Sequence, residues 1–204
     1  GPGHHGVWDL AMLQLVPNIR IAAPRDAERL REEFREAVAV SDAPTVVRFP
    51  KGSVLPDLPA VERLEDGVDI LTRGGAEDVL LVGIGPMAHI AMDVASRLRA
   101  QGIGATVIDP RWVIPVQPSV IDLAAAHRLV ITIEDGIRVG IAREGRVDQI
   151  DRDADFVEHR IRGEVAPARH AALVAEAADE AVDHAGASRD PIEVVIVRIG
   201  VRQD

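Results

Sequence analysis

The chain has 204 residues and a mass of 21.9 kDa, enough to bury a sizeable core in one large domain or two smaller ones. A formal charge of -10, a pI near 5.2, 2% aromatics and no Tyr argue against nucleic acid or an anionic membrane as partner, since neither electrostatics nor stacking favours them. With no Cys, disulfides, thiolate metal sites and cysteine nucleophiles are excluded, and no apolar run approaches the roughly 18 to 20 residues that span a bilayer. The lack of Cys suits a reducing cytosol, and on so acidic a surface any anion site must be local.

In chain order, GPGHHGVWDL places the pair His4-His5 on a glycine-flanked loop. Trp8 to Leu15 then reads as a short helix that Pro17 breaks. Ile19 to Ala23 is a short strand, and Asp26 is placed to cap a helix over Ala27 to Val40, with Leu30, Phe34, Ala37 and Val38 predicted on its apolar face. The β-branched run Thr45 to Phe49 predicts a strand ended by Pro50. Helices alternate with strands, the rhythm of a doubly wound sheet. Ser53 to Asp66, with Pro56 and Pro59 and no periodicity, has the composition of a linker.

Beyond it, Asp78 to Gly85 is a nearly continuous apolar run, as in a strand buried on both faces. Helix Met87 to Ala100, strand Ala105 to Ile108, helix Ser119 to His127 and strand Leu129 to Ile133 complete a second, mostly parallel unit in a separate domain. Arg143 to Arg160 is densely charged with alternating signs, Glu164 to Ala185 predicts an Ala-rich helix, and Ile192 to Ile199 a strand.

Several motifs have the residue types for a site. VGIG, Val82 to Gly85, could cradle a phosphate at a helix start, but Pro86 follows at once and the motif alone favours a tight strand-to-helix turn. His4 and His5 can exchange protons near neutral pH, although adjacent loop residues point apart and make a poor metal pair. RFPKG puts Arg48 and Lys51 three residues apart at a strand end, where they suit either a phosphate or carboxylate clamp or a solvated edge. Asp109, Arg111 and Trp112 mark an interface packing corner more than a site, and Glu134-Asp135-Gly136 a structural or interface strand end more than a catalytic one.

Taken together, GPGHHGVWDLAML, IRIAAPRDAERLREEF, PTVVRFPKG, DVLLVGIG, GATVIDPRWVIPV and LVITIEDG resemble, in this order, the 1-deoxy-D-xylulose-5-phosphate synthases. These are thiamine-diphosphate enzymes of the transketolase superfamily, and the resemblance covers about Gly1 to Gly140. It implies residues 1–52 as the end of a pyrimidine-binding α/β domain, 53–66 as linker, and 67–204 as a transketolase C-terminal-type α/β domain, diverged over 140–204. The implied reaction is a transferase condensation of pyruvate with glyceraldehyde 3-phosphate, with loss of carbon dioxide, toward isoprenoid, thiamine and pyridoxal synthesis. His4 matches the histidine near the reacting carbonyl, and Lys51 the basic residue that holds the acceptor phosphate, with His5 and Arg48 secondary.

The resemblance further implies magnesium and a homodimer, or association with a missing N-terminal portion. The family's Gly-Asp-Gly magnesium and diphosphate motif, its activating glutamate and its stacking aromatics have no counterpart in this sequence. A fragment or truncated homologue, inactive as an isolated chain, is therefore expected. The rival readings are a β-subunit-like piece of a 2-oxoacid dehydrogenase and a noncatalytic interaction module.

Overall fold

The computed structural model describes residues 12–13, 15–50 and 52–134, together with the backbone of the strand Glu193–Val197. Strand β1, Arg20–Ala22, runs parallel to β2, Thr45–Val47. The crossover between them is helix α1, Ala27–Ala39, which starts where predicted. Asp26 caps it by accepting a hydrogen bond from the Arg29 N–H at 2.8 Å, satisfying one of the free donors of the first turn.

The face that α1 buries keeps Ala37 and the half-buried Leu30 of the expected set but not Phe34 or Val38. Its buried residues are Glu33 and Ala37, whereas Phe34 and Val38 are 57% and 72% exposed. The surface below the helix presents arginines, so ion pairs rather than apolar contacts set its rotation.

The second set of elements is β3, Glu62–Arg63; β4, Asp69–Thr72; β5, Val79–Gly83; α2, Met87–Ala100; β6, Ala105–Asp109; β7, Trp112–Ile114; α3, Pro118–Ala126; β8, Leu129–Glu134; and β9, Glu193–Val197. They form a six-stranded sheet of order β3-β4-β6-β5-β8-β9, from which β7 departs. β5 pairs parallel with β6 and β8, each reached through a helical crossover, while β4 and β9 add antiparallel flanks. The sheet is therefore mixed around a parallel centre. The predicted linker contributes β3, and its pairing with β4 is a departure from the expected irregular segment.

β5 shows why the sheet sits where it does. All five of its residues are buried. Val79 and Leu81 face one apolar cluster with Ala91, Val94 and Leu98 of α2, whereas Leu80 and Val82 face another with Ile21 of β1, Ile19 just before it and Ala124 of α3. Gly83 is required by α2, since a Cβ there would lie 2.5 Å from the Ala88 Cα.

β7 pairs antiparallel with β1, giving a three-stranded sheet of order β2-β1-β7. The two sets of elements thus share a sheet as well as a core. The predicted helices at 8–15 and 164–185 and the charged segment 143–160 lie wholly or mostly outside the described residues.

Candidate functional site

β2 hands the chain to the RFPKG edge. There the Arg48 N–H donates to the Ala22 carbonyl at 2.9 Å, extending the β1–β2 pairing by one step. Arg48 is half-buried, and Phe49, 57% exposed, follows it at the surface. Phe49 and Pro50 line a small cleft of about 50 Å³ with Pro24, Leu30, Leu55 and Pro86. His4, His5 and Lys51, the remaining predicted site residues, lie outside the described residues. The structure therefore places only Arg48 of that set.

The VGIG segment turns tightly instead of opening as a cradle. Gly85 takes a left-handed φ of +58°, and Pro86 caps α2. The N–H groups of Met87, Ala88 and His89 donate back to Ile84, Gly85 and Pro86 at 3.3, 3.0 and 3.2 Å, so the first turn has its donors engaged. Glu134, at the other predicted strand end, is buried, while Asp135 and Gly136 lie outside the described residues. Among the described residues no group of three His, Cys, Asp or Glu side chains is arranged to hold a metal ion, and no helix is long and apolar enough to cross a membrane.

A buried ionic cluster lies where β1 and α1 meet β4, β6 and β7, and no sequence motif marks it as a site. Arg25, with a fully buried side chain, donates from Nη1 to Asp69 at 2.7 Å and Asp109 at 2.6 Å, and from Nε to the Leu58 carbonyl at 2.9 Å. Asp69 also accepts from Arg63 Nε at 2.6 Å. Burial works to raise the Asp69 pKa, but the Arg63 and Arg25 hydrogen bonds outweigh it and hold the carboxyl below its usual range. Asp109 has the opposite balance, since full burial pushes it up to about 6 despite the attraction of Arg25.

The turn after β6 aims the second half of the cluster. Asp109 accepts from the Arg111 N–H at 2.8 Å, and Arg111 is left-handed at φ 58°. That conformation directs its guanidinium to α1, where Nη2 pairs with Glu36 and lies 3.5 Å from Glu32. Trp112 Nε1 donates to the other Glu36 oxygen at 2.7 Å. Glu33 sits beneath, fully buried, with Arg111 Nε 3.7 Å away and no hydrogen bond to either carboxyl oxygen among the described residues. Burial pushes its pKa up to about 9, with repulsion from Asp109 and Glu36 exceeding the pull of Arg111 and Arg25. One sequence signal for this cluster exists: Asp69 stands alone in the apolar run GVDIL, and an unaccompanied acid in a buried strand needs a cation.

Two units of one superfamily are present. Residues 1–56 match the transketolase pyrimidine-binding domain and residues 68–152 the transketolase C-terminal domain, so the chain belongs to the transketolase superfamily. Within that class it is similar to 1-deoxy-D-xylulose-5-phosphate synthases. It is 58% identical over 177 residues to the one from Leifsonia xyli subsp. xyli (strain CTCB07), covering 81% of this chain and 27% of the relative. It is 56% identical over 181 residues to that of Paenarthrobacter aurescens (strain TC1), covering 81% and 28%. The chain thus spans about a quarter of the length of these relatives. A solved structure described as "Split gene transketolase, inactive beta4 tetramer" superposes with a TM-score of 0.66 at 22% identity, over 90% of this chain and 64% of that one, and supports the fold.

Proposed function

We propose that the chain is the acceptor-side part of a thiamine-diphosphate transferase that condenses pyruvate with glyceraldehyde 3-phosphate. Two three-carbon substrates give carbon dioxide and the five-carbon 1-deoxy-D-xylulose 5-phosphate, a precursor for isoprenoid, thiamine and pyridoxal synthesis. The observation that carries this reading is the 58% identity to a synthase of that name. Thiamine diphosphate would supply the carbanion that joins the two carbon skeletons. The described residues contain no set of acids and histidines suited to magnesium, so the metal's ligands are assigned to none of them.

His4 then donates a proton or a hydrogen bond at the reacting carbonyl, and Lys51 of the RFPKG edge holds the acceptor phosphate as a point charge. His5 and Arg48 support them from adjacent positions. A homodimer, or association with a segment bearing the diphosphate ligands, completes the site in a cytoplasmic enzyme.

The reading is tested in a hybrid in which this chain replaces the matching quarter of the Leifsonia synthase. The hybrid is expected to form 1-deoxy-D-xylulose 5-phosphate. His4→Ala is expected to lower kcat by about 100-fold or more, and Lys51→Met to raise KM for glyceraldehyde 3-phosphate with a smaller effect on kcat. A folded hybrid that uses pyruvate but no phosphorylated aldehyde would overturn the assignment. The 204-residue chain alone is expected to give no turnover with both substrates, magnesium and cofactor, and measurable product would refute that part.

A further inference from the structure

Glu33 has no role in the proposed reaction, yet it occupies an unusual place: a fully buried carboxyl, without a hydrogen bond among the described residues, at the junction of two sets of elements. Glu33 itself feels Arg111, Asp109, Glu36 and Arg25, and the ion-pair network they belong to draws on every element at the junction. From α1 come Arg29, Glu32 and Glu36; from the β1–α1 turn, Arg25 and Asp26; from β3 and β4, Arg63 and Asp69; from β6 and its turn, Asp109 and Arg111. With Glu33 itself, six carboxyl groups thus meet four guanidinium groups, and the guanidiniums are already engaged. Arg25 binds Asp69 and Asp109, Arg63 binds Asp69 and Glu32, and Arg111 binds Glu36.

We propose that the Glu33 carboxyl is the trip of a pH-sensitive latch between α1 and the β6–β7 turn. With its proton, Glu33 adds no charge and the helix seats on Arg111 and Trp112. Without it, a third acid joins the buried Asp109 and the part-exposed Glu36 beside Arg111, its own carboxylate cut off from water, and α1 is driven off the turn. The direction of its pKa agrees, since Glu33 lies at about 9 in the fold against an ordinary 4.5. Its contribution to stability is full below about pH 4.5 and is lost as pH rises through about 9.

The composition makes this transition easy to assign. Lys51 is the only lysine, and there is neither Tyr nor Cys, so Lys51 and the α-amino group are the only ordinary titrants in the alkaline range. Trp112 reports the latch, because its indole bonds to Glu36. Trp8→Phe leaves it as the sole Trp.

The test compares the full chain carrying Trp8→Phe with the same chain carrying Glu33→Gln as well. Between about pH 6 and 9 the folding constant of the former is expected to fall about tenfold per pH unit relative to the Gln variant, as release of one proton requires. Trp112 emission in the Glu33 chain is expected to shift to the red around pH 9, and the Gln variant to show no such shift. Parallel pH profiles for the two chains, or no alkaline change at Trp112, would overturn the latch. Should Glu33→Gln fail to fold, infrared difference spectra of the unsubstituted chain decide the matter. A protonated-carboxyl band present at about pH 7 and lost on alkalisation is expected, and its absence at that pH refutes the proposal.

Discussion

Arg25 and Arg20 separate what a buried ion pair does from what an exposed one does. Arg20 meets Asp42 at 3.2 Å with the two side chains 40% and 73% exposed, so solvent screens the pair. Arg25 meets Asp69 and Asp109 with the side chains 0%, 0% and 1% exposed. Removing its guanidinium strands Asp109 in a low-dielectric interior and leaves the Asp69 carboxylate to Arg63. Arg25→Leu is therefore expected to cost about 3 to 5 kcal/mol in urea unfolding, and Arg20→Leu less than about 1 kcal/mol. Combining Arg25→Leu with Asp109→Asn should recover part of the loss, because the stranded charge is removed. The acid limb of stability has its own residues. Asp69 and Glu32 are held below their ordinary values of 3.8 and 4.5, each against the opposing effect of burial, by Arg63 together with Arg25 for Asp69 and with Arg111 and Arg29 for Glu32. Their stabilisation is present above those ordinary values and is lost as pH falls through the lowered ones. Asp109 acts the other way, losing its contribution as pH rises from 3.8 through about 6. Urea titrations over a pH series should therefore find greatest stability on the acid side of neutrality.

The α2–β6 connection shows how one loop uses two glycines for different reasons. Gly102 has a φ of +80°, and a side-chain carbon added there would meet nothing within 4 Å, so its demand is conformational. At Gly104 a Cβ would fall 1.9 Å from the Ala76 carbonyl oxygen, so its demand is steric and the opposing atom is backbone. Gly102→Ala should cost about 1 kcal/mol, and Gly104→Ala about 3 kcal/mol or more with displacement of the β4–β5 loop, as read by thermal unfolding. Neither requirement is visible in QGIGAT, where the two glycines look alike. Elements that follow a local rule are legible in the sequence: Asp26 caps α1, and the apolar run of β5 is buried on both faces. Elements defined by a partner are not. β3, β4 and β7 have two, four and three residues, too few to show a period, and each exists through its neighbour. The rotation of α1 escapes the sequence for a related reason, since periodicity rewards Phe34 and Val38 and cannot anticipate arginines on the surface beneath. Asp69, set among apolar neighbours, is the one acid whose burial the sequence signals; Glu33 and Glu36 look like solvated helix charges, which hides the rest of the ionic cluster. The proposed catalytic pair is legible only through resemblance, because His4 and Lys51 carry no local pattern that separates chemistry from surface.

At the scale of the molecule, β7 and the ionic cluster are two independent ties between the same bodies. β7 pairs with β1 through Ile21–Ile114 and Ala22–Trp112, while Arg111 reaches from the turn before β7 to α1. The β1–β2 pair in turn carries the RFPKG edge, so the second set of elements supports the strand that leads to Lys51. Both ties intact should make unfolding a single transition, with Trp112 emission and far-ultraviolet dichroism coincident in urea. Arg111→Asn separates the contributions. Asn tolerates the left-handed φ of 58° better than other side chains, so the turn keeps its path, yet it is too short to reach Glu36. Glu36 is 37% exposed and can rehydrate, whereas Glu33 loses the only cation within 4 Å among the described residues. In the Asn variant the Trp112 transition should therefore move to lower urea and precede the loss of secondary structure. If the two signals remain coincident, β7 pairing alone suffices to couple the two sets of elements. If they separate, coupling depends on the buried charges, and the edge that bears the proposed phosphate clamp is held in place by ion pairs formed across the junction.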